Sequence, residues 1–495
     1  MSAVRCVKSA VLGRHWRAAV IAAAGFATMV GTSTVAVVAG AGAAEAHAPS
    51  PVAGGEGGKD AEGKESKKES KGDKGGHDKG KGGHDKGDKG GHEGRGEDGG
   101  GKKWGGDHED DGKEYVECDP NALVAALVEL NENRGGDLVL AKDCTYTLTT
   151  NLDGNGLPRI TQPISIFGHG ATIARAANAD QFRLFEVGPG GDLKLRKLTL
   201  TRGKAAAGDE GGAIRVSPAG RLELDDVTVR ENGTDILADN DAGGLQNDGI
   251  ATVRNSVFHR NSGEDGAAIA NNDAKIEIID SEITGNIADP DDGFGALYNS
   301  GTMRVRDSLI SHNDSVDGGG VHNDGVLEIE NSTIAHNFAA DDGGAIDSDD
   351  GPLYLRDSVV KGNTAAVDGG GLSLTEPASV VGSEIVDNAL TASEATGAGV
   401  FVSMGGGEDA TSIRDSKIIG NQAPGNAASG GGIFNVENDG ELRLTDVKVA
   451  RNLSDDPAGG VNNNGTLFTY GKVRIIDNVP TNCDGGGSPV PNCFG

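Results

Sequence analysis

The chain has 495 residues, of which 82 are glycine and 4% aromatic, and a formal charge of -30. So much glycine and so little aromatic side chain do not suit the large core of an ordinary enzyme of this length, and the charge disfavours nucleic acid and polyanionic partners unless cations bridge them. Self-similarity along the chain is the better guide to its fold.

Residues 1–46 read as a signal peptide. Arg5, Lys8, Arg14 and Arg17 form a basic start, 18–44 is uncharged and apolar, and Ala44-Glu45-Ala46 or Ala46-His47-Ala48 offers a cleavage site. The expectation is secretion to an extracellular or cell-wall location, with no membrane contact after cleavage. An uncleaved anchor is the alternative, because the apolar run is long enough to span. Residues 47–113 collapse to Gly, Lys, Asp, Glu and His, as in Gly75-Gly76-His77-Asp78-Lys79 and Gly82-Gly83-His84-Asp85-Lys86. With almost nothing apolar to bury, this stretch is expected to be a flexible linker. His77, His84, His92 and His108 within it make at best a weak, pliable metal site.

Folded structure is expected over 114–480, with a closing tail at 481–495. Asp119-Pro120-Asn121 followed by Leu123, Ala126, Leu127 and Leu130 predicts a short helix, with Asp119 as cap and Pro120 in the first turn. A helix there covers the exposed end of whatever strand array follows. Setting Cys6 aside leaves Cys118 with Cys144 and Cys483 with Cys493 as the simplest disulfide pairs, one at each end of the array. Each closes a loop worth about 2–3 kcal/mol in the chain-entropy model and implies an oxidising compartment.

From Gly211 to Asn478 one pattern recurs about ten times, every 24 to 33 residues. Its apolar register holds Ile214, Leu245, Ile269, Leu297, Val321, Ile346, Leu372, Val400, Ile433 and Val461. Its closing register holds Asn232, Asn261, Asn286, Asn313, Asn337, Asn363, Asn388, Asn421, Asn452 and Asn478, and in seven copies a serine stands five residues earlier. Units this short cannot bury an apolar face alone, so successive units must stack as parallel strands about 4.8 Å apart, with the asparagines forming an amide ladder. The predicted fold is all-β: a single-stranded parallel β-helix with a short N-terminal capping helix.

Gly-Gly-Ala-Ile at 211–214 and 343–346, with Phe258-His259-Arg260-Asn261, resembles the repeat of the polymorphic outer-membrane protein family. More broadly, 118–478 resembles secreted β-helix proteins of the pectin-lyase-like class. The resemblance implies a right-handed coil, in line with the general crossover preference.

Candidate chemistry is mostly acidic. Glu210, Asp241, Asp265, Asp317, Asp342 and Asp368 stand four residues before the apolar register, while Asp292 and Asp456 sit one position earlier in their own coils. Stacked, they form a carboxylate column. Calcium would relieve its repulsion, aided by Asp209, Asp239, Asp291, Asp341 and Asp455. The alternative is turn chemistry, since Asp-Gly favours turns. Asp347, Asp349 and Asp350 are the candidate acid–base set, with Asp347 and Asp349 on one strand face if that run is extended. Gly168-His169-Gly170 and Asp347-Ser348-Asp349-Asp350 resemble fragments of polygalacturonase-like hydrolases. They lie about seven coils and roughly 30 Å apart, whereas hydrolysis needs its two carboxyl groups within about 10 Å.

His259, His312, His322 and His336 fall near the repeat corners and are expected to face solvent, with His312 and His336 placed to stack. Both tryptophans lie outside the folded region and most phenylalanines are expected in apolar registers, which argues against a long polysaccharide groove. The longest coils, between Asn388 and Asn452, are the first place to look for a binding surface. The functional expectation is a non-catalytic binding or adhesion scaffold, calcium-stabilised, with a cell-surface glycan or protein as partner. The alternative is a polysaccharide lyase or glycoside hydrolase.

Overall fold

The computed structural model describes residues 113–493 apart from 235–240, 405–409, 437–439 and 485–487. The expected leader, all but the last residue of the linker, the linker histidines, Asp239 and the extra residues at 405–409 lie outside the described residues. That last linker residue opens the first strand, Lys113–Val116, which pairs in parallel with Gly136–Leu140.

The chain winds as a right-handed parallel β-helix of about 13 turns with one short helix near its start. One turn shows the path. Val326–Glu330 and Thr333–Ala335 lie in a 24-stranded sheet, Phe338–Ala339 in a narrow eight-stranded sheet, and Ile346–Ser348 in a twelve-stranded sheet. Each strand pairs in register with its counterpart one turn on, so like residues stack: Val321 on Ile346 on Leu372, and Ile334 on Val360 on Ile385. These stacks are fully buried and fill the lumen, which is why no unit folds without its neighbours.

The polar registers close the corners. From Asn232 to Asn478 each asparagine donates its backbone N–H and Nδ2 to Oδ1 of the next at 2.9–3.1 Å. The serines do likewise, as when Ser308 N–H donates to Ser332 Oγ at 3.2 Å. The residue before each ladder position turns the corner with φ near +50°. Asn255, Asp280, Asp307, Asn331 and Asp357 do so before the serines, and Arg260, His312, His336 and Asp387 before the asparagines. Asx and His residues are enriched in this region of φ/ψ space because a short polar side chain tolerates it.

Both ends are closed as the sequence implies. In the helix Pro120–Glu132 the Asp119 carboxylate accepts the N–H of Asn121, and Leu123, Ala126, Leu127 and Leu130 are buried. Cys118 is bonded to Cys144 and Cys483 to Cys493. The tail adds one more short strand, Cys483–Asp484, beside Val461–Asn463.

Candidate functional site

In the twelve-stranded sheet most strands have three residues. The outer two point into the lumen, and alternation turns the middle one outward. Yet in several coils the middle residue is also buried, because the segment before the strand folds back over it. Gly343, at φ +66°, shows how close that cover lies: a Cβ there would stand 2.6 Å from Asp347 Cβ. The outward column reads Gln246, Ala270, Tyr298, His322, Asp347 and Ser373 in successive coils. Its first two coils supply the charged Glu186 and Arg215, Gln246 and Ala270 follow, and the next three coils supply Tyr, His and Asp.

His322 is 5% exposed. Its Nε2 lies 3.1 Å from Asp324 Oδ1, and its Nδ1 approaches Asp347 Oδ2 at 3.1 Å without the alignment of a full hydrogen bond. Tyr298 Oη donates to the other oxygen of Asp324 at 2.8 Å. The Tyr298 ring stacks on the imidazole with centroids 5.9 Å apart and planes 8° apart, and Phe294 packs against it at 4.5 Å. Burial lowers the imidazole's proton affinity, but the close carboxylates of Asp324 and Asp347 outweigh it, so its pKa stands well above the ordinary value. His322 is therefore biased towards its protonated form, clamped between two carboxylates and two rings.

The aspartate column forms beside it. Asp317 Oδ1 accepts the N–H of Asp342 at 3.0 Å, Asp342 Oδ1 that of Asp368 at 2.8 Å, and Asp368 Oδ1 that of Thr396 at 3.0 Å. Burial, and then the neighbouring charges, raise the acids. Asp342 rises to about 9 through burial and Asp368, Asp265 to about 8 through burial and Asp241, and Asp317 to about 6 through burial and Asp347. Burial also raises Asp368 and Asp341. Of the remaining expected members, Asp241 accepts from Asn272 Nδ2 at 2.9 Å, and Glu210 pairs with Arg215 at 3.3 Å.

Asp292 does not join the column. The register belongs to Phe294, whose N–H donates to Asp265 Oδ1 at 3.2 Å and which bridges to Asp317, while Asp292 is exposed. This coil runs three residues longer between its ladder asparagine and its apolar register than the coils on either side, and the extra length moves the carboxylate outward. Asp456 is exposed likewise. Among the described residues no three His, Cys, Asp or Glu side chains converge as a metal-ligand set.

The other expectations divide. Asp347 and Asp349 do not share an extended face, because the strand ends at Ser348 and Asp349 starts the turn, accepting Thr375 Oγ1 at 2.9 Å. Asp350 is exposed. His169 lies in the strand Pro163–Arg175, seven strand pairings from the turn that follows Asp347. His312 and His336 do lie against each other in neighbouring coils, with centroids 5.3 Å apart and planes tilted by 34°. His322, expected at the surface, is the buried centre of the cluster. Its signal was present in the pattern: it occupies the one outward position between the inward Val321 and Asn323, with an aspartate two residues on and another one coil away.

Further along the same column stand Phe401 and Phe434, half-buried, with ring centroids 6.1 Å apart and planes 15° apart. They are not lumenal, unlike Phe182, Phe185 and Phe258, which corrects the expectation that the phenylalanines fill apolar registers. They lie in the two long coils singled out from the sequence.

A family model described as a right handed beta helix region matches residues 212–390. Comparison with curated proteins gave no match. Among solved structures the chain is similar to the A-module of a mannuronan C-5 epimerase from Azotobacter vinelandii, at 12% identity over 75% of this chain and 95% of that one, TM-score 0.32. It is also similar to a periplasmic alginate epimerase, at 11% identity over 72% and 88%, TM-score 0.33. A third similarity is to an alginate lyase from a Paenibacillus species, at 13% identity over 65% and 99%, TM-score 0.31.

Proposed function

We propose that this chain is a secreted, polysaccharide-active β-helix whose acid–base centre is the cluster around His322. One observation carries the reading: Tyr298, His322, Asp324 and Asp347, drawn from three successive coils, touch one another on the outward side of the twelve-stranded sheet. A stacked coil has no packing need for them, and departures from a local rule concentrate at functional sites. The proton affinities suit acid–base work, because carboxyls raised to about 9 at Asp342 and about 8 at Asp265 keep a proton at neutral pH. A carboxyl that keeps its proton is one half of what cleavage of a glycosidic bond requires. Secretion is supported by the two disulfides, and among the described residues no helix is long and apolar enough to cross a membrane.

A second reading, a non-catalytic binding scaffold for a cell-surface glycan or protein, is favoured by closure of the cluster: Tyr298 is 8%, His322 5% and Asp347 6% exposed. Incubation with neutral and acidic polysaccharides, following new reducing ends and unsaturated products, separates the two. Cleavage that falls at least a hundredfold in His322→Gln and Asp347→Asn, with melting retained, supports the first. Absence of cleavage across the panel leaves the scaffold.

A further inference from the structure

We infer that Phe401 and Phe434 form a stacking platform for sugar rings of a polysaccharide lying along the outward face of the twelve-stranded sheet. The inference rests on the polysaccharide reading and supplies its binding subsite. Both rings occupy the register of His322, three and four coils beyond it, so at about 4.8 Å per strand they lie roughly 14–19 Å along the same face. Coil spacing is close to the advance per ring of an extended hexose chain, so a polymer parallel to the helix axis meets one coil per sugar. The two rings are near-parallel, 6.1 Å apart and half-buried, so part of each stays open to a ligand.

Aromatic residues are only 4% of this chain, yet two stand consecutively in a register that holds Ser373 on one side and Asn462 on the other. The lumen gains nothing from them. The coils around them are also built up. The segments ahead of Val400 and Ile433 are three residues longer than those ahead of Leu372 and Val461, and they stack on each other through Glu394 N–H to Asn426 O at 2.8 Å and Ser429 N–H to Ala395 O at 3.1 Å. Ala395, Ala398, Ala423, Ala428 and Leu390 pack beneath as a small core of their own. The result is a ledge beside an aromatic floor, in a molecule whose surface is otherwise dominated by carboxylates. That chemistry selects a ligand with apolar C–H faces and hydroxyl edges, which describes a pyranose ring, over a phosphate or an acidic peptide.

The test uses the full chain and an array of immobilised glucan, galactan, xylan and polyuronates, followed by titration with oligosaccharides of the retained polymer. Phe401→Ala with Phe434→Ala is expected to weaken binding at least tenfold, Phe401→Tyr with Phe434→Tyr to restore it, and six-ring oligosaccharides to bind far more tightly than two-ring ones. Should the alanine pair melt early, Phe401→Leu with Phe434→Leu keeps the apolar volume, removes the ring face and is expected to show the same loss. Affinity unchanged in both the alanine and leucine pairs overturns the platform while leaving the polysaccharide reading intact. Ring-dependent binding without any cleavage upholds the platform and removes the catalytic assignment. Retention on no polymer overturns both.

Discussion

Asn337 makes five hydrogen bonds with one side chain and one backbone N–H. Its Oδ1 accepts from Asn313 N–H and Nδ2 at 3.1 and 2.9 Å, its Nδ2 donates to Ile310 O and Asn363 Oδ1 at 3.1 and 3.0 Å, and its N–H donates to Asn363 Oδ1 at 2.9 Å. Asn337→Ala strips buried donors and an acceptor of their partners, and at about 1–3 kcal/mol for each unsatisfied group the expected loss is about 3 kcal/mol in denaturant unfolding. Asp342 behaves oppositely. Its folded pKa, about 9, exceeds the unfolded value of about 3.9. Its contribution is therefore full below the unfolded value and is lost as pH rises through the folded one. Asp317, at about 6, and Asp265, at about 8, follow the same sign, as does His322 with its raised pKa. The melting temperature should thus rise on acidification from pH 9 to pH 5. Asp342→Asn removes the charge, keeps the Oδ1 that accepts Asp368 N–H, and should raise the melting temperature far more at pH 8 than at pH 5. The same variant tests calcium at this column: a saturable calcium-dependent rise in the wild type that the variant lacks would make the carboxylates ion ligands. Legibility at this scale follows from repetition. Ladder asparagines were readable because each must match its neighbours, whereas His322 had no neighbour of its own kind, and alternation with Val321 and Asn323 shows that it turns outward but not that a preceding segment covers it.

The covering segments act as elements in their own right, and their lengths differ. In the coil ahead of Leu297 the added residues place Phe294 over the imidazole of His322, between Gly293 and Gly295, with Gly295 at φ +59°. It is held by its backbone: its N–H donates to Asp265 Oδ1 at 3.2 Å, its carbonyl accepts Gly266 N–H at 2.7 Å, and Gly295 N–H donates to Asp317 O at 2.9 Å. Phe294→Ala should uncover His322 while leaving the lumen packed. The expected result is a rate of imidazole modification by diethyl pyrocarbonate at least tenfold above wild type, absent in Phe294→Ala with His322→Gln. An unchanged rate would mean that other residues, not this ring, seal the cluster. Such covers were poorly legible beforehand for a physical reason. Lumenal strands obey a register that copies itself, but a segment outside the lumen obeys only the distance between its ends. The carboxylates at Asp265, Asp317, Asp342 and Asp368 could be aligned from spacing, while Asp292 was displaced by an insertion whose effect depends on its path.

Across the whole molecule each coil touches only the coil before and the coil after, so stability approximates a sum of coil and interface contributions, and loss begins at the ends. The two ends are closed differently. The N-terminal end has a helix whose buried leucines join the core, and the disulfide Cys118–Cys144 ties it to the first coils. The C-terminal end has a short strand, the disulfide Cys483–Cys493 and a few side-chain bonds, such as Asn492 Nδ2 to Thr469 Oγ1 at 3.0 Å. Near it Phe468 is 40%, Tyr470 51% and Val479 55% exposed, so less apolar surface is recovered there when the last coil closes. Cys483→Ser with Cys493→Ser should therefore fray the last coils first. Amide exchange is expected to quicken across Thr466–Tyr470 and Arg474–Ile476 while Val326–Glu330 stays protected. Cys118→Ser with Cys144→Ser should lower the unfolding free energy by about 2–3 kcal/mol without that gradient, because the packed helix remains. Uniform loss of protection in the first variant would show instead that the coils unfold as one unit, with the tail setting the stability of the whole array.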